Sequence, residues 1–227
     1  MEDWKAEIEQ AQAIGIDGFA LNCAPPSVDK YTPDQLAHAY AAAEEMDFKV
    51  FISFDFAYWT PGDTGLITDY LANFTASPAQ AYYNDGAIVS TFIGNAMDWN
   101  PVKSSLSDQK LTVIPNVEDP NSIPGATNGL DGAFSWYAWP TSGENKVIKG
   151  PMTTVWDDMF IQNLGDKPYM AREYNLSPSP PLSRILTLYS RVPVVLYAFC
   201  QQELGVYLRG AAHAPLGADA RHEAPDD

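Results

Sequence analysis

"FKVFISFDFAYW", residues 48–59, is the stretch whose reading decides the fold. Val50 through Phe54 form a short, almost uninterrupted apolar run, too short for a helix and apolar on both sides. Such a run reads as a strand buried on both faces, the kind found in parallel sheets. The chain then sets a carboxylate, Asp55, among aromatic residues. Burying a lone charge is costly, so this Asp is expected at a strand end, where water, a partner or a ligand reaches it.

Working outward, the same kind of run recurs. "IDGFALN" (16–22), "AIVSTFIG" (87–94), "LTVIPN" (111–116) and "GAFSWYAW" (132–139) read as strands. Between them lie amphipathic stretches. Residues 3–14 carry Trp4, Ile8, Ala11 and Ile14 at helical spacing, and Gly15 ends that helix. "TPDQLAHAYAAAEEM" (32–46) has Thr32 as expected N-cap, Pro33 at the first helical position, and Leu36, Ala39, Tyr40 and Ala43 as inner stripe. "GLITDYLANF" (65–74) is expected to bury Leu66, Tyr70 and Phe74, and "PMTTVWDDMFIQNL" (151–164) is a further helix.

Alternating helices and all-apolar strands predict a parallel α/β sheet covered on both faces. The strand cadence suits the βα units of a TIM-like barrel better than a dinucleotide-binding domain. "IGIDGF" does not supply the G-x-G-x-x-G turn. In a barrel the active site lies at the C-terminal strand ends. The residues there would be Asn22, Asp55, Gly94 with Asn95, Asn116, and Trp136 with Trp139. Amides and a carboxylate pair with hydroxyls, and flat indoles stack on the C–H face of a sugar ring. Each residue alone has a plainer reading: Asn22 as a loop cap, Trp136 as core. The argument rests on the set. Asn22, Asp55, Asn116, Trp136 and Trp139 are therefore the candidate substrate-binding residues.

Composition narrows the partners. The 227 residues carry a net charge of −16, which argues against nucleic acid or an anionic membrane surface. The apolar stretch 185–200 is broken by Arg191 and Pro193 and is too short to span a bilayer. Two cysteines, Cys23 and Cys200, and three scattered histidines, His38, His213 and His222, give neither a disulfide framework nor a zinc motif, so no metal site of the usual zinc type is expected. No basic and apolar leader follows Met1.

A seam falls near residue 171. All eight lysines precede it and all five arginines follow it; residues 1–171 hold 23 acidic residues and 172–227 hold six. The segment 172–227 contains "SPSPPLSR" and ends in Ala/Pro-rich sequence without periodicity, so it reads as an unrelated, partly disordered tail. A different coding origin, such as a read-through intron or a shifted frame, is one expectation for it; a linker with a tail is the other.

The segments "DW…I..AQAIGIDGFALN" (3–22), "QLAHAYAAAEEMDFKVFISFDF" (35–56), "AIVSTFIG" (87–94), "VIPNV" (113–117), "DGAFSWYAWP" (131–140) and "KPYM" (167–170) resemble glycoside hydrolase family 71, the fungal α-1,3-glucanases or mutanases. The resemblance covers about residues 3–171, in order. It implies a (β/α)8 barrel and cofactor-free, inverting cleavage of α-1,3-glucan in the fungal wall. It also implies an extracellular setting, whereas the chain as written, without a visible leader, is expected to stay inside the cell. "NFT" (73–75) is a glycosylation sequon in keeping with a secretory ancestor.

The chain departs from the family pattern in three places. The family has a strand before "DW" with an Ala-His-Phe-like core. After "PYM" it continues Ser-Pro-Trp-Phe, where this chain reads "AREYNL". Its acidic pair lies in a Trp-Asn-Asp-aromatic-Gly-Glu-Ser stretch that has no counterpart here. "VWDDMF" (155–160) sits in a predicted helix, with Asp157 and Asp158 expected on its solvated side or at a loop edge. The expectation is thus a partial TIM (β/α)8-type barrel at 1–171, with parallel strands and its first and last strands absent. Open parallel edges of an unclosed barrel predict poor solubility, and the family's Asp/Glu pair has no counterpart, so an inactive chain is expected. The alternative is a degenerate glucan-binding barrel or pseudogene product. "VPVVLYAF" (192–199) offers one replacement strand, at an edge because of Pro193.

Overall fold

The computed structural model describes residues 1–94, 96–136, 155–171 and 195–199. The elements alternate from the start. Helix α1 (Glu2–Ala13) buries Trp4, Ile8 and Ala11. It ends one residue before Ile14, which is 73% exposed rather than part of the stripe. Gly15 turns the chain at φ +82°, a conformation that favours glycine. Strand β1 (Gly18–Cys23) is buried throughout.

Helix α2 (Thr32–Glu45) buries Leu36, Ala39, Tyr40 and Ala43, as the spacing predicts. Thr32 is not its cap. It is the first helical residue, and its hydroxyl donates to the Ala24 carbonyl at 2.9 Å, tying the helix start to the exit of β1. Strand β2 (Lys49–Asp55) follows, then α3 (Thr64–Phe74). The buried face of α3 is Ile67, Tyr70 and Leu71, while Leu66 is 38% exposed. Of the predicted face, Tyr70 is buried and Phe74 packs partly buried against the core, whereas Ile67 takes the inner position expected of Leu66.

Strands β3 (Tyr82–Tyr83) and β4 (Gly86–Phe92) form a hairpin around Asn84 and Asp85. Both turn residues have positive φ, as a two-residue primed turn requires. A short helix α4 (Asn100–Ser105), not foreseen from the sequence, precedes β5 (Leu111–Ile114). β5 is shorter than expected because Pro115 has no N–H to donate to the ladder. Strand β6 (Ala133–Ser135), helix α5 (Val155–Leu164), β7 (Tyr169–Ala171) and β8 (Val195–Phe199) complete the described elements.

The strands β8, β1, β2, β4 and β5 lie side by side in that order, all parallel. β6 and β7 form a second parallel ladder, and a parallel bridge between Asn116 and Phe134 joins it to the exit of β5. β8 comes from the segment beyond the seam and occupies the edge beside β1, in register from Gly18 with Val195 to Asn22 with Phe199.

Residue parity divides the core in two. Phe19, Leu21, Cys23, Val50, Ile52, Phe54, Val89 and Val113 pack with the inner faces of the helices. The alternate residues Ala20, Phe51, Ile88, Ile114, Phe134 and Met170 form a separate apolar cluster on the opposite face. A two-sided core explains why the strands are apolar at nearly every position.

Candidate active site

Parallel pairing places the C-terminal ends of β1, β2, β4, β5 and β6 at one rim. Asn22 is the penultimate residue of β1 and Asp55 the last of β2. Asn116 lies just beyond β5, and Trp136 directly follows β6. These four therefore share a rim. Trp139 and Asn95 fall outside the described residues.

Asp55 is half-buried. Its Oδ2 accepts from the Asn22 side-chain amide at 3.2 Å, and its Oδ1 accepts from the Ala57 backbone N–H at 3.0 Å. Its carbonyl accepts from the N–H groups of Tyr58 and Trp59, so the chain turns sharply after the strand. The Trp59 indole N–H donates to the Cys23 carbonyl at 2.8 Å and pins this turn to the end of β1. Asn22 is only 4% exposed, and its amide oxygen accepts from the Ser53 hydroxyl at 3.1 Å.

Asn116, 2% exposed, is wired in the same manner. Its side-chain oxygen accepts from the Ile93 N–H and its side-chain nitrogen donates to the Phe134 carbonyl, each at 3.2 Å. Its backbone N–H donates to the Thr91 hydroxyl at 3.0 Å. One side chain thus links the exits of β4, β5 and β6. Ile93 sits at φ +57°, a position that a β-branched residue rarely adopts. Gly94 follows at φ +91°, and a Cβ there would lie 2.6 Å from the Phe56 ring.

The rim's accessible groups are different ones. Phe92 pairs in register with Asp55, and its ring centroid lies 5.0 Å from that of half-buried Trp136 in an edge-to-face contact. Tyr58 is 49% exposed in the turn after β2. Glu118, exposed in the loop after β5, is a second rim-side carboxylate. The sequence reading passed over Ser53, Thr91, Tyr58 and Glu118. A hydroxyl inside an otherwise apolar strand was the available signal for the first two. The carboxylates Asp63, Asp98 and Asp119 in other loops accept from neighbouring backbone N–H groups and close local turns.

Asp157 is half-exposed on α5. It accepts from the Tyr169 hydroxyl at 2.6 Å, joining α5 to β7, whereas Asp158 is exposed. Burial, together with the Asp157 carboxylate, holds the Tyr169 phenol well above its ordinary value. A cavity of about 500 Å³ opens near Asp17, Gly18, Lys49 and Gln80, at the N-terminal end of the strands, opposite the rim. Among the described residues no group of three His, Cys, Asp or Glu could hold a metal ion, and no helix is long and apolar enough to cross a membrane.

A parallel α/β sheet that gathers a carboxylate, amides and aromatics at its C-terminal rim presents groups able to pair with hydroxyls and to meet an apolar ring face at the end where α/β barrels place their sites. The chain belongs to glycosyl hydrolase family 71, whose family model matches residues 1–179. It is 54% identical over 172 residues to a mutanase of Penicillium rubens, covering 75% of this chain and 38% of that protein. It is 32% identical over 180 residues to a glucan endo-1,3-alpha-glucosidase of Schizosaccharomyces pombe, covering 73% and 40%. An ascus wall endo-1,3-alpha-glucanase of the same yeast is 24% identical over 186 residues, covering 74% and 41%. The chain thus spans about two-fifths of the length of the curated relatives it matches.

Proposed function

We propose that residues 1–171 are part of a (β/α)8-type barrel of an α-1,3-glucan hydrolase, carrying its glucan-binding rim, and that residues 172–227 are a tail of different character that lends the sheet its edge strand β8. The observation that carries this reading is Asp55, held at a strand end by Asn22 and Ala57 beside the Phe92–Trp136 aromatic pair. Asp55 accepts a glucose hydroxyl, and Trp136, with exposed Tyr58, meets the apolar face of a sugar ring. Asn116 acts from beneath, keeping the β4 and β6 exits in place. The relatives' names support the α-1,3 linkage and, in one case, a wall glucan as the substrate class.

Inverting hydrolysis needs one carboxylic acid at the leaving oxygen and one carboxylate on the attacking water, about 6.5–9.5 Å apart. The two rim-side carboxylates named above are not assigned these tasks: Asp55 is held by Asn22 and Ala57, and Glu118 is exposed in the loop after β5. Loss of acid–base assistance commonly costs about 10²–10⁴-fold. We therefore read the 227-residue chain as glucan-binding and non-hydrolytic. Reducing-sugar release from insoluble α-1,3-glucan tests this. No release above a blank is expected from this chain, and release is expected from a chain carrying the family's Asp/Glu stretch. Turnover by the 227-residue chain that is abolished by Asp55→Asn or Glu118→Gln would overturn the reading.

A further inference from the structure

We infer that Ser53 and Asn22 are positioning residues that fix the Asp55 carboxylate for its sugar hydroxyl; this rests on the glucan reading above. Ser53 is fully buried on β2, in register with Asn22 on β1. Asp55 stands two residues further along β2, on the same side of the strand. The hydroxyl of Ser53 donates to Asn22 Oδ1, and Asn22 Nδ2 donates to Asp55 Oδ2. The direction of this chain is forced. A carboxylate only accepts, so the Asn22 nitrogen must face Asp55. The Asn22 oxygen must then face Ser53, which must donate. Without the Ser53 hydroxyl the buried Asn22 oxygen loses its donor, and only the contact with Asp55 itself is left to hold that amide orientation. The remaining Asp55 oxygen accepts from Ala57 N–H, so the carboxylate plane is fixed from both sides.

Burial separates the roles. Asn22 and Ser53 lie below the accessible rim, so a glucan chain reaches Asp55 and not them. A positioned acceptor binds more tightly because its orientation is settled before the ligand arrives. Nothing in this arrangement requires Asn22 to touch sugar.

Two measurements test the inference on the full 227-residue chain. The first is adsorption to insoluble α-1,3-glucan. Ser53→Ala is expected to weaken it about three- to tenfold, the worth of one neutral hydrogen bond, and Ser53→Thr to restore it. The second is a double-mutant cycle on the urea midpoint with Ser53→Ala and Asp55→Asn. The two residues share Asn22, so their shifts are expected not to add; Ser53→Ala should shift the midpoint about half as far in the Asp55→Asn background. Unchanged adsorption by Ser53→Ala, or midpoint shifts that simply add, overturns the inference. Failure of the unaltered chain to adsorb overturns the glucan reading instead, and the cycle then decides the positioning by itself.

Discussion

The side-chain amide of Asn22 donates to the carboxylate of Asp55 at 3.2 Å, across the exits of two adjacent parallel strands. The pair is complementary only while residue 22 is an amide. Asn22→Asp places two carboxylates in contact at a largely buried position. Repulsion and desolvation then oppose the folded state at neutral pH, and protonation of one partner relieves both. The variant is expected to be about 2–4 kcal/mol less stable than the unaltered chain near pH 7. The deficit should shrink at a lower pH, where one carboxylate of the close pair takes up a proton. Urea unfolding at the two pH values checks it.

Asn116 supports a different part of the rim. Its side chain bonds the exits of β4 and β6, and it holds Ile93 in a left-handed conformation. Asn116→Ala removes two hydrogen bonds and leaves the Ile93 N–H and the Phe134 carbonyl without that partner. The expected loss is about 2–3 kcal/mol, read as a lower urea midpoint with an unchanged slope.

Tyr169 gives a prediction at alkaline pH. Its phenol is raised above the ordinary value of 10.0 in the folded chain, so the folded state holds the proton that the unfolded state releases. The associated stability is fully present below about pH 10 and falls above it, by about 1.4 kcal/mol per pH unit. At neutral pH, Tyr169→Phe is expected to cost about 1 kcal/mol through loss of the bond to half-exposed Asp157. The advantage of the unaltered chain over Tyr169→Phe should therefore narrow and then reverse between pH 9 and 11, a range approximated from that ordinary value. A gap that stays constant across this range would contradict the assignment.

Much of the fold was legible in the sequence because its cause is local. The apolar runs around Leu21, Ile52 and Val89 are apolar at both parities, and each strand is buried by helices on one face and by the Phe51–Ile88–Phe134 cluster on the other. What escaped depends on long-range geometry. On α3, Tyr70 and Phe74 were placed correctly, but the adjacent apolar residues Leu66 and Ile67 compete for the inner face, and the local sequence does not encode that Ile67 takes it. Thr32 looked like a cap because threonine before proline usually is one, yet the Ala24 carbonyl claimed its hydroxyl. At the rim, the residue types pointed to the strand ends. The division between accessible Asp55 and Trp136 and buried Asn22 and Asn116 did not show, because it rests on bonds between residues up to 33 positions apart.

The central claim is that this rim holds α-1,3-glucan through Asp55 and Trp136. Its most direct test is the adsorption isotherm of the 227-residue chain on insoluble α-1,3-glucan, with cellulose as control, for the unaltered chain, Asp55→Asn and Trp136→Ala. A hydrogen bond to a charged group contributes about 1.5–3 kcal/mol, so Asp55→Asn is expected to weaken binding about tenfold or more. Trp136→Ala should weaken it by a similar factor through loss of ring stacking, and cellulose should retain little of any form. Equal adsorption of all three proteins to α-1,3-glucan, or equal adsorption to both polysaccharides, would contradict the account.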